Sequence, residues 1–260
     1  MVYASYSTGF KSGGTNTDRI STAFNTVFGA ESSKSMEIGF KGDLGPVRLS
    51  AALYKTDYDD FQANTFTGTG FNLQNAGDVE TQGFEIEALW RPFDSFEVQA
   101  FYARNEAEYA SFPVGTCWDT TPFHTGVPDP APPGQEPEQC DRSGNPVPYN
   151  PENRAFVAAT KDFVIGNNNL FVRAEASYSS DRFTDGDLDP FTKQDALTIW
   201  NLRAGLDIDS WNSTLTVWGR NITDERFYTG SFDAPIQFGR MNSYPQEPAT
   251  YGVTFAKRFD

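Results

Sequence analysis

Apolar and polar side chains alternate with a period of two along most of this chain, and the alternation comes in short blocks. In MEIGFKGDL, Met36, Ile38, Phe40 and Leu44 fall on one face, and Glu37, Lys41 and Asp43 on the other. NLFVRAEASYS sets Leu170, Val172, Ala174, Ala176 and Tyr178 against Arg173, Glu175 and Ser177. TIWNLRAGLDI sets Trp200, Leu202, Ala204, Leu206 and Ile208 against Asn201, Arg203 and Asp207. Period two belongs to strands with two unlike faces rather than to helices. Ten such strands are predicted, over 2–10, 35–44, 46–57, 77–91, 95–109, 154–163, 169–180, 197–209, 212–221 and 250–259. Two are irregular: RAFVAATKDF puts Phe156 and Phe163 on opposite parities, and Thr81, Gly83, Glu85 and Glu87 share a face with Leu89.

The connections sharpen the picture. Gly45-Pro46, Pro92-Phe93-Asp94, the stretch from Ile165 to Asn168, and Ser210-Trp211 are tight turns. The other five connections are long, about 11–34, 58–76, 110–153, 181–196 and 222–249, and short and long alternate throughout. An antiparallel sheet laid out this way gathers its tight turns at one rim and its large loops at the other. Loops beyond ~12–15 residues are uncommon in compact soluble domains. Outer-membrane barrels have this plan: short periplasmic turns, long external loops, and strands of about ten residues with an apolar lipid face. The expected fold is therefore an all-β, antiparallel transmembrane β-barrel. A soluble sandwich with one solvated face accounts equally well for the alternation, but not for the connection lengths.

The last segment, PATYGVTFAKRFD, fits the same plan. Tyr251, Val253, Phe255 and Phe259 would face lipid, the last of them at the periplasmic rim. Lys257 shares their parity, and near the strand end its ammonium can bend toward the headgroups. Thr254, Ala256 and Arg258 would face a polar lumen.

Composition removes several alternatives. Aromatic residues make up 15% of the chain, which argues against general disorder despite a formal charge of -15. The apolar run at 155–159 is too short for a membrane-spanning helix, which needs ~20 residues. With an acidic balance and no basic stripe, nucleic acid is not an expected partner. Met1 is followed at once by VYASYSTGF, without the basic region and apolar core of a secretory signal, so the expectation is either a chain that stays inside the cell or a piece of a longer protein whose beginning is missing.

Chemistry-bearing groups are few. Cys117 and Cys140 lie in the longest loop, with nine prolines between residues 111 and 150, and are expected to form a disulfide. No C-x-x-C or mixed Cys/His spacing favours a redox or metal role. His124, the single histidine, shares that loop with Glu136, Glu138 and Asp141, which read as a solvated acidic loop rather than a cation site. Asp57, Asp59 and Asp60 lack the spacing of a calcium loop. Neither a nucleophile elbow nor a phosphate-binding glycine loop is present, so no enzyme, cofactor or resident metal is expected. Trp118 and Phe123, with Phe66, Phe71, Phe227, Tyr228, Phe232 and Tyr244, are aromatics of the long loops, suited to stacking on a ligand or to pinning loops together. Lys11, Arg226 and Arg240 could attract an anion there, and Arg173, Arg203 and Arg220 lie on lumen parity.

Several stretches together resemble the TonB-dependent outer-membrane receptors, in the C-terminal portion of their barrel. They are YASYSTGFKSGGTN (3–16), SKSMEIGFKGDL (33–44), LSAALYKTDYDDFQ (49–62), NAGDVETQGFEIEALWRP (75–92), LTVWGRNITDERFY (215–228) and the final PATYGVTFAKRFD. LTVWGRNITDERFY is the most specific of these. Ala249 departs from the arginine that the family usually has after the proline, and Asp260 follows the terminal aromatic. The resemblance implies that 1–260 supplies about the last ten strands of a 22-stranded barrel, with plug and signal peptide outside the chain. It further implies a monomeric receptor in outer-membrane lipid. That receptor would take up a metal chelate, most often a ferric siderophore, with energy supplied through the TonB coupling protein. Uptake of a carbohydrate or other nutrient, a passive porin, and a secreted all-β binding module are the competing expectations.

Overall fold

In the computed structural model, which describes residues 1–17, 25–66, 71–75, 77–118, 139–234 and 240–259, ten long strands form a single sheet. They are β1 (Val2–Lys11), β2 (Glu31–Leu44), β3 (Val47–Asp59), β4 (Asp78–Phe93), β5 (Phe96–Ser111), β6 (Asn153–Ile165), β7 (Asn168–Ser179), β8 (Leu197–Ile208), β9 (Ser213–Arg220) and β10 (Thr250–Lys257). Each pairs antiparallel with the next in chain order, and β1 and β10 are the two edges. Among the described residues no helix is long and apolar enough to cross a membrane.

All ten predicted strands are present, and their ends show what alternation can and cannot reveal. β2 begins at Glu31 and β3 runs to Asp59, beyond the predicted 35 and 57. There both faces are polar, so the hydrophobic pattern is silent, while Lys34 Nζ holds Asp59 Oδ2 at 2.9 Å across the pair. The turn expected at Pro92-Phe93-Asp94 moves to Asp94-Ser95. β4 continues through Phe93 with a register shift between Trp90 and Phe93, where Pro92 has no N–H to donate to the ladder. Gly45 (φ 64°) and Gly166 (φ 63°) take the left-handed conformation in the first and third tight turns, and Asn212 (φ 49°) takes it in the fourth.

The register carries one apolar face through the whole wall. Trp200 stands opposite Ala176, then Val157, Ala100, Ala88, Leu49 and Gly42 in successive strands. Nearer the short turns Phe255, Leu215, Leu206, Leu170 and Phe163 form a second such row. Among the described residues no second layer covers these side chains. Ile38 is 52% exposed, Leu53 58% and Val253 67%. So much aliphatic surface on one face is unfavourable in water and costs nothing against lipid tails. Tyr6, Tyr102, Tyr178, Trp200 and Tyr251 lie toward the long-loop end of this face, and Trp90, Phe93, Phe96 and Phe163 toward the short turns, as two aromatic girdles.

The opposite face is polar, with aromatics laid over glycines. Tyr3 stands opposite Gly39, Tyr54 opposite Gly83, Phe171 opposite Gly205 and Trp218 opposite Gly252. In each pair a methyl on the glycine would meet the ring or hydroxyl at 2.2–2.7 Å, so a side chain would displace the aromatic. Gly83 shows the use of such a notch: the Tyr54 ring crosses β4 and its hydroxyl donates to Asn105 Oδ1 on β5 at 3.0 Å. Such pairs fix the register of a large sheet from within.

Candidate functional site

The wall fixes where chemistry can occur: on the polar face, and among the five long connections at one rim. Each of those connections begins and ends as a small hairpin. The pairs are Gly14–Thr15 with Val27–Phe28, Gln62–Phe66 with Phe71–Asn75, Gly115–Thr116 with Gln139–Cys140, Arg182–Phe183 with Lys193–Gln194, and Tyr228–Asp233 with Met241–Pro245.

Amide side chains and free backbone groups tie each loop to its neighbour. Asn16 and the Leu73 backbone exchange two hydrogen bonds, at 2.8 and 2.9 Å, and Gly29 N donates to Asn75 Oδ1 at 2.6 Å. Gln62 Nε2 reaches back to Ser12 O and Gly29 O. Gln74 Nε2 donates to Val114 O in the third loop at 3.3 Å, and Tyr149 N to Phe183 O in the fourth at 2.8 Å. Ser231 N of the fifth loop donates to Thr184 O of the fourth at 2.7 Å, and Tyr228 N to Gln194 Oε1 at 2.9 Å. The result is a continuous crown. Beneath its second and third loops Val79, Tyr109 and Phe112 are buried among Tyr58, Phe61, Ala63, Val114 and Val147, a small apolar floor above the bilayer.

Cys117 and Cys140 are bonded, with Cα atoms 5.1 Å apart, and close the third loop at its hairpin. Arg142, which the sequence reading passed over, is buried beneath the bridge. It donates to Thr116 O from Nε at 3.0 Å and from a terminal nitrogen at 2.5 Å, which fixes the strand that carries the cysteine. Next to it the Ser143 hydroxyl and backbone N–H hold the Asp141 carboxyl below its usual range.

Along the polar face the charge is sorted by strand. On β7 to β9 this face carries Arg173, Arg203 and Arg220 with Glu175 and Asp207, and Arg173 and Arg203 share Glu175. Glu175 Oε1 lies 2.6 Å from Arg173 Nε and 3.5 Å from Arg203. Arg173 also donates to Thr160 Oγ1 at 3.0 Å and to Gln99 Oε1 at 3.3 Å. The Arg220 guanidinium lies 5.2 Å from the Trp218 ring centre, and Trp218 is anchored by its Nε1 donating to Thr254 Oγ1. On β2 to β4 the same face carries Glu37, Glu85 and Glu87 with Lys41 and Arg48. The wall thus has an arginine-rich half and a glutamate-rich half.

The residues singled out from sequence are dispersed. Lys11 ends β1, exposed at the loop rim on the polar parity. Arg226 lines a cavity of about 270 Å³ between the fourth and fifth loops, with Phe191, Lys193, Tyr228, Ser231 and Ser243. There Asp181 pairs with Lys193 at 2.8 Å, which lowers the carboxyl and raises the ammonium from their ordinary values. Arg240 is exposed beside the fifth hairpin. Trp118 is 8% exposed, so its ring is packed rather than presented. Phe232 and Tyr244 pack on each other with ring centres 5.8 Å apart. Tyr251, Val253, Phe255 and Phe259 are all exposed, the first three on the apolar face of β10. Phe123, His124, Glu136 and Glu138 lie outside the described residues, as do the side chains of Phe66 and Phe71. Asp57 and Asp59 are engaged by Lys55 and Lys34 rather than gathered for a cation. Among the described residues no group of three or more acidic, histidine or cysteine side chains could hold a metal ion.

Comparison with known proteins places this wall. The family model described as TonB dependent receptor-like, beta-barrel, matches residues 1–222. The Pesticin receptor of Yersinia pestis is 31% identical over 107 residues, which is 40% of this chain and 16% of that protein. The solved ferric yersiniabactin uptake receptor of Yersinia pestis superposes with a TM-score of 0.74 at 20% identity, covering 98% of this chain and 34% of the receptor. A siderophore receptor of Acinetobacter baumannii gives 0.69 at 19% identity, covering 98% and 33%. The chain therefore spans about a third of the length of these solved structures, and its open sheet follows an arc of their barrel wall.

Proposed function

The chain belongs to the β-barrel part of the TonB-dependent receptor family, proteins of the outer membrane, and from that premise we propose that it forms the C-terminal wall of a receptor taking up an anionic metal chelate, most simply a ferric siderophore. The observation that carries the reading is the arginine-rich half of the polar face, where Arg173 and Arg203 have Glu175 between them and Arg220 stands over Trp218. Guanidinium groups set in a polar wall favour oxygen-rich anions such as catecholates and carboxylates, through charge-assisted and bidentate hydrogen bonds. The looped crown would form the mouth, with the Arg226 cavity among its cationic entries. The names of the relatives, one for yersiniabactin and one for siderophores, point the same way. Energy would come through the TonB protein, acting on parts of the receptor outside this chain.

The test is radioiron accumulation in cells expressing the gene that encodes this chain. Ferric tris-catecholate, which is anionic, is supplied beside neutral ferric tris-acetohydroxamate. Uptake of the anionic chelate is expected to stop when the proton gradient is collapsed. It should fall by about tenfold or more with R173Q and R203Q together, the scale of lost hydrogen bonds to a charged partner. Gradient-dependent uptake of an oligosaccharide, with neither chelate transported, would contradict the proposal.

A further inference from the structure

Lys161 is out of place. It lies on the apolar face of β6, opposite Phe96 on β5 and Val172 on β7, in a stretch of wall otherwise built of aliphatic and aromatic side chains. Its Nζ stands 4.7 Å from the centre of the Phe93 ring and 5.8 Å from that of Phe163, and donates to Ser95 Oγ at 2.7 Å. Ser95 belongs to the tight turn between β4 and β5, so the ammonium is drawn toward the short-turn rim. The nearest carboxylate in sequence, Asp162, has the opposite parity and accepts from Asn169 Nδ2 on the polar face. Among the described residues Lys161 therefore has two rings and one hydroxyl around it and no carboxylate oxygen paired with it. An ammonium has three donors, and at least one remains for an anion from outside the protein.

The surface above Lys161 indicates what brings that anion. Ala159 and Val157 on β6, Ala174 and Ala176 on β7, and Ala100 on β5 are mutual neighbours in register and have small side chains. Larger groups stand on either side, with Trp90 toward β4 and Trp200 and Leu202 on β8. A shallow trough thus runs from mid-wall down to a caged cation at the rim. That is the shape of a lipid: acyl chain along the trough, phosphate at the lysine. Lys257, on the apolar parity of β10, also lies at the short-turn end and over a ring, 5.7 Å from Phe259.

We propose that Lys161, with Phe93, Phe163 and Ser95, binds the phosphate of an anionic phospholipid in the leaflet at the short-turn side, its acyl chain lying in the alanine trough. A zwitterionic lipid brings its own ammonium and fits less well. Charge complementarity selects the anionic headgroup, and an interfacial lysine is suited to reading it.

The receptor encoded by the gene is extracted in mild detergent and titrated with phosphatidylglycerol or phosphatidylcholine under native mass spectrometry. Lys161→Gln is expected to lower retention of phosphatidylglycerol about fivefold, the factor one lysine supplies at an anionic surface, and to leave phosphatidylcholine unchanged. Lys161→Arg should retain the preference, and inorganic phosphate at millimolar concentration should not compete, because it cannot use the trough. Lys34→Gln, which breaks the Lys34–Asp59 pair toward the opposite rim, should have no effect. Equal retention of both lipids by the native protein, or an equal loss of both in Lys161→Gln, would overturn the site. Full competition by inorganic phosphate would overturn its assignment to a lipid.

Discussion

Val157→Arg is expected to destabilise the folded wall by about 2–4 kcal/mol, the cost of a lipid-facing cation near the middle of the bilayer. Val157 is 47% exposed, and its register neighbours are Ala100 and Ala176. In water a half-exposed valine on a sheet surface would accept arginine with little loss, typically within about 0.5 kcal/mol. The size of the effect therefore reports the solvent rather than the packing. Ser50→Arg makes the control, because Ser50 lies on the polar face between Lys41 and Glu87. It should cost less than about 1 kcal/mol. Urea unfolding in lipid vesicles measures both. Equal small losses would mean that the apolar face meets water, and the transmembrane account would fail.

Removing the disulfide should have an effect of similar size by a different route. Cys117→Ser together with Cys140→Ser is expected to lower stability by about 2–4 kcal/mol, since the bridge spans a separation of 23 residues and restricts the unfolded chain. The loss should be concentrated in the crown. Arg142 holds the Thr116 carbonyl on the cysteine strand, so the double variant should expose amides around 112–118 to hydrogen exchange while those of β6 to β8 stay protected. Uniform loss of protection across the wall would show that the bridge supports the sheet itself.

The strands were legible because the bilayer imposes a strict rule on them. Within its span one face must be apolar and the other need not be, and that difference survives as alternation in segments such as 170–178 and 200–208. Once a strand leaves the bilayer the constraint ends. The extension of β2 over Glu31-Ser-Ser-Lys34 looks like loop, although it pairs with β1 throughout and with β3 from Ser32. The Phe156 and Phe163 conflict also resolves in register. Phe163 joins the lipid row with Leu170, while Phe156 faces inward opposite Phe101. Period alone cannot separate these uses of phenylalanine, because the lumen of a large barrel also accepts aromatics where they cover a neighbour.

The mouth was less legible for a physical reason. Its order rests on single amide side chains reaching over long sequence separations, such as Asn16 to Leu73 and Gln62 to Ser12, and an asparagine in a loop gives no sign of its partner. For Trp118 the sequence left open a ligand-stacking or a loop-pinning use, and its ring is buried, since solvent access of a loop residue depends on neighbouring loops. Parity did find Arg173, Arg203 and Arg220, but the pairing of Arg173 and Arg203 with Glu175 needed the register of two strands. Lys161 reads as an exception to the apolar pattern, and its cage of Phe93, Phe163 and Ser95 emerges only when β4 to β6 are laid side by side.

Accessibility along β7 tests the central claim most directly. A nitroxide placed in turn at Val172, Ala174, Ala176, Ser177 and Ser179, in the gene product held in its membrane, reports collision with oxygen dissolved in lipid and with a nickel complex dissolved in water. Both cysteines of this chain are in the disulfide, so within it the introduced cysteine is the one free thiol. The account predicts high oxygen and low nickel collision at 172, 174 and 176, and the reverse at 177 and 179. Low collision with both probes at 172, 174 and 176 would mean that these side chains are buried against a second protein layer, and would contradict it.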